Sequence, residues 1–438
     1  MTPPCEFVFG GYGLRASGSC VGVCGPWFRR TLVVIVAVAP LGHVYAQPLT
    51  EWVREAGWRE AFLCVLTERE RDEEGHWRTL GERVVGVNPA TGEKRDIVFR
   101  AHSPAPHDDR LRIAPGGWLI NYSPHPERIR AVDVSGEPVG LTATAQPAAA
   151  LSSDHQTEGF DLSPDGQAWV AAVVAERSRR RSVVLRRGEQ SRVFALGKMH
   201  WTGEVAPVTF SWNPDCSQAA FYFSDGAIGD TPAFQDHGVA VVSMEGGLVR
   251  LVEPSGVGTG YGNAKQMPPQ WDSTGTHVYF AAGRRDEDHW KGQPNRRGRL
   301  IIPPACTYRV NTETREIEKV SYGVLMSLAP DDRTVYVDAY PVGETYRSSR
   351  VRAARVDLET EEVRLLPEGA HRPLVSPCGE LVAVFMQDAG LRFVDARTLE
   401  FRDEGAIALP LPDDYRFFWR TFKWVAAQDG PTSRATDG

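Results

Sequence analysis

Apolar residues in this chain come in short bursts, each introduced by a tight polar turn. Ser163-Pro164-Asp165-Gly166 precedes Ala168-Trp169-Val170-Ala171-Ala172-Val173, and Asn213-Pro214-Asp215 precedes Ala219-Ala220-Phe221-Tyr222-Phe223. Weaker copies stand at Asp272-Ser273-Thr274-Gly275, Ala329-Pro330-Asp331-Asp332, Ser376-Pro377-Cys378-Gly379 and Ala114-Pro115-Gly116-Gly117. Pro sets φ for the first corner of a type I turn, Asp caps it through its side chain, and Gly takes the left-handed position that follows. The flanking runs are rich in Val, Phe, Tyr and Trp, as strands require. Each copy therefore predicts a β-hairpin.

The copies recur roughly every 50 residues, about the length that four short strands and their turns need. A second hairpin follows each copy, as in Arg130-Ala131-Val132-Asp133-Val134-Ser135-Gly136, Val239-Ala240-Val241-Val242-Ser243 and Ala354-Arg355-Val356-Asp357-Leu358. A unit repeated at this period predicts an array, here an all-β, seven-bladed β-propeller, with six or eight blades as the alternatives. No long apolar stripe of helical period supports a helical solenoid.

The first unit lacks an inner strand. Ala61-Phe62-Leu63-Cys64-Val65-Leu66 and the pair around 84–93 have no turn phrase ahead of them. The segment 420–430, containing Phe422-Lys423-Trp424-Val425, is the candidate to supply it from the other end of the chain. Such pairing closes the ring and removes an open sheet edge.

The N-terminal stretch reads differently. Arg29-Arg30, an apolar run over 31–42 and Val44-Tyr45-Ala46 predict a secretory signal peptide over 1–46. A single propeller domain is expected over 47–430 and a disordered tail over 431–438. Nothing in the remainder is apolar for long enough to cross a membrane, so no membrane span is expected after cleavage. The expected location is periplasmic or secreted, and the expected state a monomer. The formal net charge of −7 argues against nucleic acid as a partner. Of the seven cysteines, Cys64, Cys216, Cys306 and Cys378 lie beyond the leader. Cys216 and Cys378 occupy equivalent turns in different units, too far apart to bridge, so free or buried thiols are expected.

The phrase Leu162-Ser163-Pro164-Asp165-Gly166, with its β-run and following hairpins, resembles the WD40-like repeats of TolB-like β-propellers. The resemblance spans most of the chain after the leader, as repeats only. It implies an exported propeller that binds other proteins in the cell envelope. The separate α/β domain that precedes the TolB propeller has no counterpart in the short segment 47–59.

There is no Gly-x-Ser-x-Gly elbow, no His-Glu-x-x-His and no phosphate loop. No catalytic residue, metal ligand or cofactor is expected. His155 with Glu158 reads as a polar loop contact, and Asp286-Glu287-Asp288 lacks a calcium-loop ladder. Trp169, Trp212, Trp271 and Trp424 are expected to pack between blades.

Long insertions are expected at 68–82, 224–238, 283–304 and 340–350, all on the face opposite the turn phrases. The insertion of blade five mixes Arg284, Arg285, His289, Trp290, Arg296 and Arg297, residue types frequent in binding hot spots. Asp108, Asp109, His155, Glu158, Lys265, Gln266, His371 and Arg372 are expected around the channel mouth on that face. These features favour a non-catalytic scaffold that binds a protein or peptide. The alternative is an enzyme of lyase, lactonase or quinone-dependent dehydrogenase type at the channel mouth, since one fold supports many chemistries.

Overall fold

The computed structural model describes residues 48–71, 77–101, 110–133, 138–139, 154–178, 180–196, 209–223, 238–253, 267–283, 305–339, 352–386, 390–402 and 422–427. The leader 1–46, the tail 431–438 and the insertion 284–304 lie outside them.

The protein is a seven-bladed β-propeller. Blades two to six each run outward through four antiparallel strands in chain order. Their inner strands are Arg110–Ala114, His155–Leu162, Phe210–Trp212, Gln270–Trp271 and Val324–Leu328. Blade seven has Ala370–Val375, Leu381–Met386 and Gly390–Asp395, with a bridge from Val394 to Phe401 where its outermost strand belongs. Blade one is composite. Strand Phe422–Ala426 pairs antiparallel with Glu60–Arg71, Phe62 opposite Trp424, followed by Trp77–Val87 and Lys94–Ala101. The C-terminal segment thus completes the first blade, as its sequence predicts.

Alternation along the strands builds the ring. Ala61, Leu63 and Val65 face blade two, while Phe62, Cys64 and Leu66 face blade seven. In blade three, Ala168, Val170 and Ala172 join blade four, and Trp169, Ala171 and Val173 join blade two. Seven apolar clusters result, one at each junction between neighbouring blades. The closing junction is aromatic. Phe62 stacks on Phe422 at 5.9 Å and meets Trp424, Phe385 and Phe393 within 6.2 Å.

The turn phrases are the inner hairpins. In five of them the fourth residue donates its N–H to the carbonyl of the first, as Gly166 does to Ser163 at 2.9 Å. That fourth residue has positive φ every time, even as Cys216 (60°) or Asp332 (55°) in place of glycine. Ser163 Oγ, Asn213 Oδ1, Asp272 Oδ1 and Ser376 Oγ each accept the N–H five residues on. Asp165, Asp215 and Asp331 accept the N–H two residues on. Neighbouring phrases touch: a Cβ on Gly275 would lie 3.6 Å from Pro214, and one on Gly379 would lie 3.5 Å from Pro330.

The outer hairpins share a second phrase. Asn88, Asn311, Asp357 and Asp395 each cap the N–H two residues on. Thr91, Thr314, Thr360 and Thr398 then accept the N–H of Glu93, Glu316, Glu362 and Glu400. Between each Thr and Glu lies a residue of positive φ: Gly92, Arg315, Glu361 or Leu399.

One sequence expectation changes. The insertion expected at 68–82 is largely strand, because Glu60–Arg71 and Trp77–Val87 continue as a ribbon paired to Arg71 opposite Trp77. Ahead of the first strand lies a helix, Leu49–Glu55, whose Leu49 and Val53 pack into the junction of blades one and two. Cys64, Cys216, Cys306 and Cys378 are free thiols. Among the described residues no helix is long and apolar enough to cross a membrane.

Candidate functional site

An inner strand has one edge that its own blade cannot pair, and its backbone groups need other partners. Side chains of adjacent blades supply them. Glu82 accepts from Leu111 N at 2.7 Å, and Tyr122 Oη donates to Thr157 O at 2.7 Å. Trp271 Nε1 donates to Ser211 O at 3.0 Å, and Trp424 Nε1 to Leu374 O at 2.8 Å. Gln270 both donates to Met326 O and accepts from Leu328 N. The tryptophans therefore pack between blades as expected, and two of them also hold a neighbour's backbone.

The inner strand of blade seven is irregular. Its pairing shifts between His371 and Leu374, where Pro373 has no N–H to offer. Arg372 sits there in a left-handed conformation, φ 51°, which a non-glycine residue adopts only when its surroundings enforce it. Blade six does the enforcing. Asp338 Oδ1 accepts Arg372 N–H at 2.8 Å, while Ser327 Oγ donates to Pro373 O and accepts from Val375 N. Asp338 is only 5 % exposed. Burial pushes its carboxyl up to about 6, against the opposing pull of Arg372. Burial also lowers His371, whose ring lies 6.5 Å from that of Phe385.

On the other side of the ring the inner strands carry charge. Arg112 alternates with core Leu111 and Ile113, and its guanidinium lies 3.3 Å from the centre of the Tyr122 ring. Asp161 alternates with core Phe160 and Leu162. Lys423 lies between Phe422 and Trp424 of the C-terminal strand. Burial lowers both Arg112 and Lys423, and Asp161 pulls each of them back. Asp161 of blade three is thus near enough to act on both an arginine of blade two and a lysine of blade one.

Of the residues expected at the channel mouth, His371 and Arg372 form the irregular corner of blade seven, and His155 opens the inner strand of blade three. Glu158 lies 3.6 Å from Arg181 of its own blade. Asp108, Asp109, Lys265 and Gln266 fall outside the described residues, as do Arg284, Arg285, His289, Trp290, Arg296 and Arg297. Sequence reasoning missed Asp338, Arg112, Asp161 and Lys423. An acid or base inside an inner or second strand, flanked by core residues, was the available signal. Among the described residues no three metal-ligating side chains gather.

The two faces differ. The turn phrases are short, hydrogen-bonded and mutually packed. The long connections depart from the opposite ends of the described strands: between Phe223 and Gly238, between Gly283 and Ala305, between Ala339 and Arg352, and from outer strands to the next inner one.

No protein-family model and no curated protein matches the chain. Similar solved structures include TolB from Acinetobacter baumannii, at 13 % identity over 84 % of this chain and 86 % of that one, TM-score 0.35. The β-propeller domain of the Trilobed protease from Pyrococcus furiosus is similar at 12 % identity over 80 % and 96 %, TM-score 0.43. An oligogalacturonate lyase in complex with manganese is similar at 8 % identity over 77 % and 97 %, TM-score 0.45. TolB, whose repeats this sequence resembles, is thus among the structures similar to it.

Proposed function

We propose that this propeller is an exported, non-catalytic scaffold that binds a protein or peptide in the cell envelope through its loop-rich face. The observation that carries this reading is the asymmetry of the ring. One face is closed by packed turns, and every long connection leaves from the other. Long connections on a rigid frame are where binding residues concentrate. Arg284, Arg285, His289, Trp290, Arg296 and Arg297 in the longest of these connections are the anchors of the reading. Residues 1–46 supply the export signal, and the exported chain begins at Gln47.

Pull-downs from envelope extract test it. The Trp290→Ala, Arg297→Ala double variant should keep the melting temperature of the parent and lose its partners. Recovery of the same partners with the double variant rejects this site.

One observation favours a second reading, an enzyme at the channel mouth. Arg372 is held in a strained backbone conformation beside a buried carboxyl of raised pKa, and both features concentrate at functional sites. Elemental analysis and an absorption spectrum of the purified protein discriminate, since a stoichiometric metal or chromophore supports the enzyme.

A further inference from the structure

We propose that Cys378 is a site of reversible peroxide oxidation, and that the turn of blade seven and Glu60 of blade one together cradle its sulfenic acid. In three other turn phrases the same position is aspartate, whose Oδ1 accepts the N–H two residues on: Asp165 from Gln167, Asp215 from Ser217 and Asp331 from Arg333. In blade three Ser163 Oγ also donates to Asp165 Oδ1, at 2.5 Å. Blade seven keeps the turn, with Gly379 N–H on Ser376 O at 2.9 Å, but sulfur stands in the place of the carboxyl carbon. Ser376 Oγ lies 3.1 Å from Cys378 Sγ, and the Glu380 N–H bonds to the same sulfur. An oxygen added to Sγ stands as many bonds from the backbone as an aspartate Oδ1 does. The turn therefore already offers that oxygen its two donors.

A second observation comes from the neighbouring blade. Glu60 is 6 % exposed, and its Oε2 is buried with no hydrogen-bond partner among the described residues. An orphaned buried acceptor is costly until a donor reaches it. Glu60 alternates with Ala61 and shares the strand face of Phe62, which packs on Phe385 and Phe393 of blade seven. Beside it, Arg59 Nη1 holds Glu380 Oε2 at 2.9 Å, which ties the start of this strand to the residue two past Cys378. Burial pushes up both the Glu60 carboxyl and the Cys378 thiol, and each responds to the other. A sulfenic acid carries the hydroxyl donor that Glu60 Oε2 lacks.

The step balances with hydrogen peroxide as the oxidant. Sulfur attacks one peroxide oxygen, an S–O bond forms, the O–O bond breaks, and sulfur gives up two electrons. The thiol proton passes to the Glu60 carboxylate and leaves with the second oxygen as water. Thiol reductants reverse the product. Cys378 is half-buried, whereas Cys64, Cys216 and Cys306 are buried, so peroxide reaches Cys378 ahead of them. The site belongs to the turn face and does not rest on the loop-face reading.

The test treats the native full chain with hydrogen peroxide and dimedone, which traps sulfenic acids, and locates the adduct by peptide mapping, apart from the leader thiols Cys5, Cys20 and Cys24. Cys378 should carry about tenfold more label than Cys64, Cys216 or Cys306, and more as pH rises and thiolate forms. Dithiothreitol added before dimedone should erase the label. Glu60→Met offers no acceptor and should shorten the life of the sulfenic acid, read by adding dimedone at intervals after catalase has removed the peroxide. Cys378→Asn places an oxygen and an N–H donor where the sulfenic acid would have them. Without peroxide it should melt above Cys378→Ala. Cys378 labelled no more than the buried thiols overturns the proposal. So does a parental sulfenic lifetime in Glu60→Met, or a Cys378→Asn that melts no higher than Cys378→Ala.

Discussion

Replacing Asp338 by asparagine should make this protein more stable at neutral pH. Asp338 lies between blades six and seven, and its carboxyl is pushed from the ordinary 3.8 up to about 6, chiefly by burial. The folded protein therefore holds this proton more tightly than the unfolded chain does. Below the ordinary value both states are protonated and nothing is lost. As pH rises from there toward 6, the unfolded chain ionises first and the fold loses stability. Above 6 the full penalty stands, roughly 3 kcal/mol for a gap of this size. Asparagine imitates the protonated acid. Its Oδ1 can still accept the Arg372 N–H, now at 2.8 Å. Urea denaturation of parent and Asp338→Asn at pH 8 should differ by up to roughly 3 kcal/mol in favour of the variant. For a ring of this size, melting cooperatively, that is about 4 °C in Tm. The difference should close as pH approaches 4. A variant less stable than the parent at pH 8, or a difference that ignores pH, would refute the reasoning.

Three further outcomes follow from the same structure. Phe62→Ala empties the aromatic closing junction, where the ring is fully buried against Phe422, Trp424, Phe385 and Phe393. It should cost about 3–5 kcal/mol in urea denaturation, and a loss below 1 kcal/mol would show that the closure carries little load. Ser163→Ala removes a hydroxyl that donates to Ala168 O at 2.9 Å and accepts from Ala168 N at 2.8 Å. It should destabilise by about 1–3 kcal/mol, read from the same denaturation curves. Deleting residues 422–438 strips blade one of its inner strand and should yield aggregates on size-exclusion chromatography. A monodisperse, cooperatively melting product would contradict the closure.

The hairpins were legible because their chemistry is local. Ser163, Asn213 and Asp272 cap turns made of the next few residues, so the phrase carries its own geometry. Where it had worn down, backbone strain substituted for glycine: Cys216 and Asp332 accept positive φ, and the turn survives an imperfect copy. Ring closure was legible by a different logic, that of a missing piece at one end and a spare strand at the other. The channel was not legible. Lys423, Arg112 and Asp161 are distant in sequence, and only the folded ring brings Asp161 near enough to act on the other two. Asp338 was hidden in the same way. Its partner is the backbone of Arg372, and a backbone partner leaves no trace in side-chain identity. The ribbon at 68–82 misled because its composition, rich in Glu and Arg, is also that of a loop.

The origin of blade one from both chain termini bears on how the molecule is made. The ribosome delivers residues 60–101 before the other six blades and their innermost neighbour, 422–426, after them. Throughout synthesis the growing polypeptide carries one sheet with a bare rim, an adhesive seam awaiting its mate. Blades two to seven can assemble from contiguous chain while blade one waits, so final locking is a single late event. Any factor that shields the nascent protein has a defined place to act, the rim formed by Glu60–Arg71.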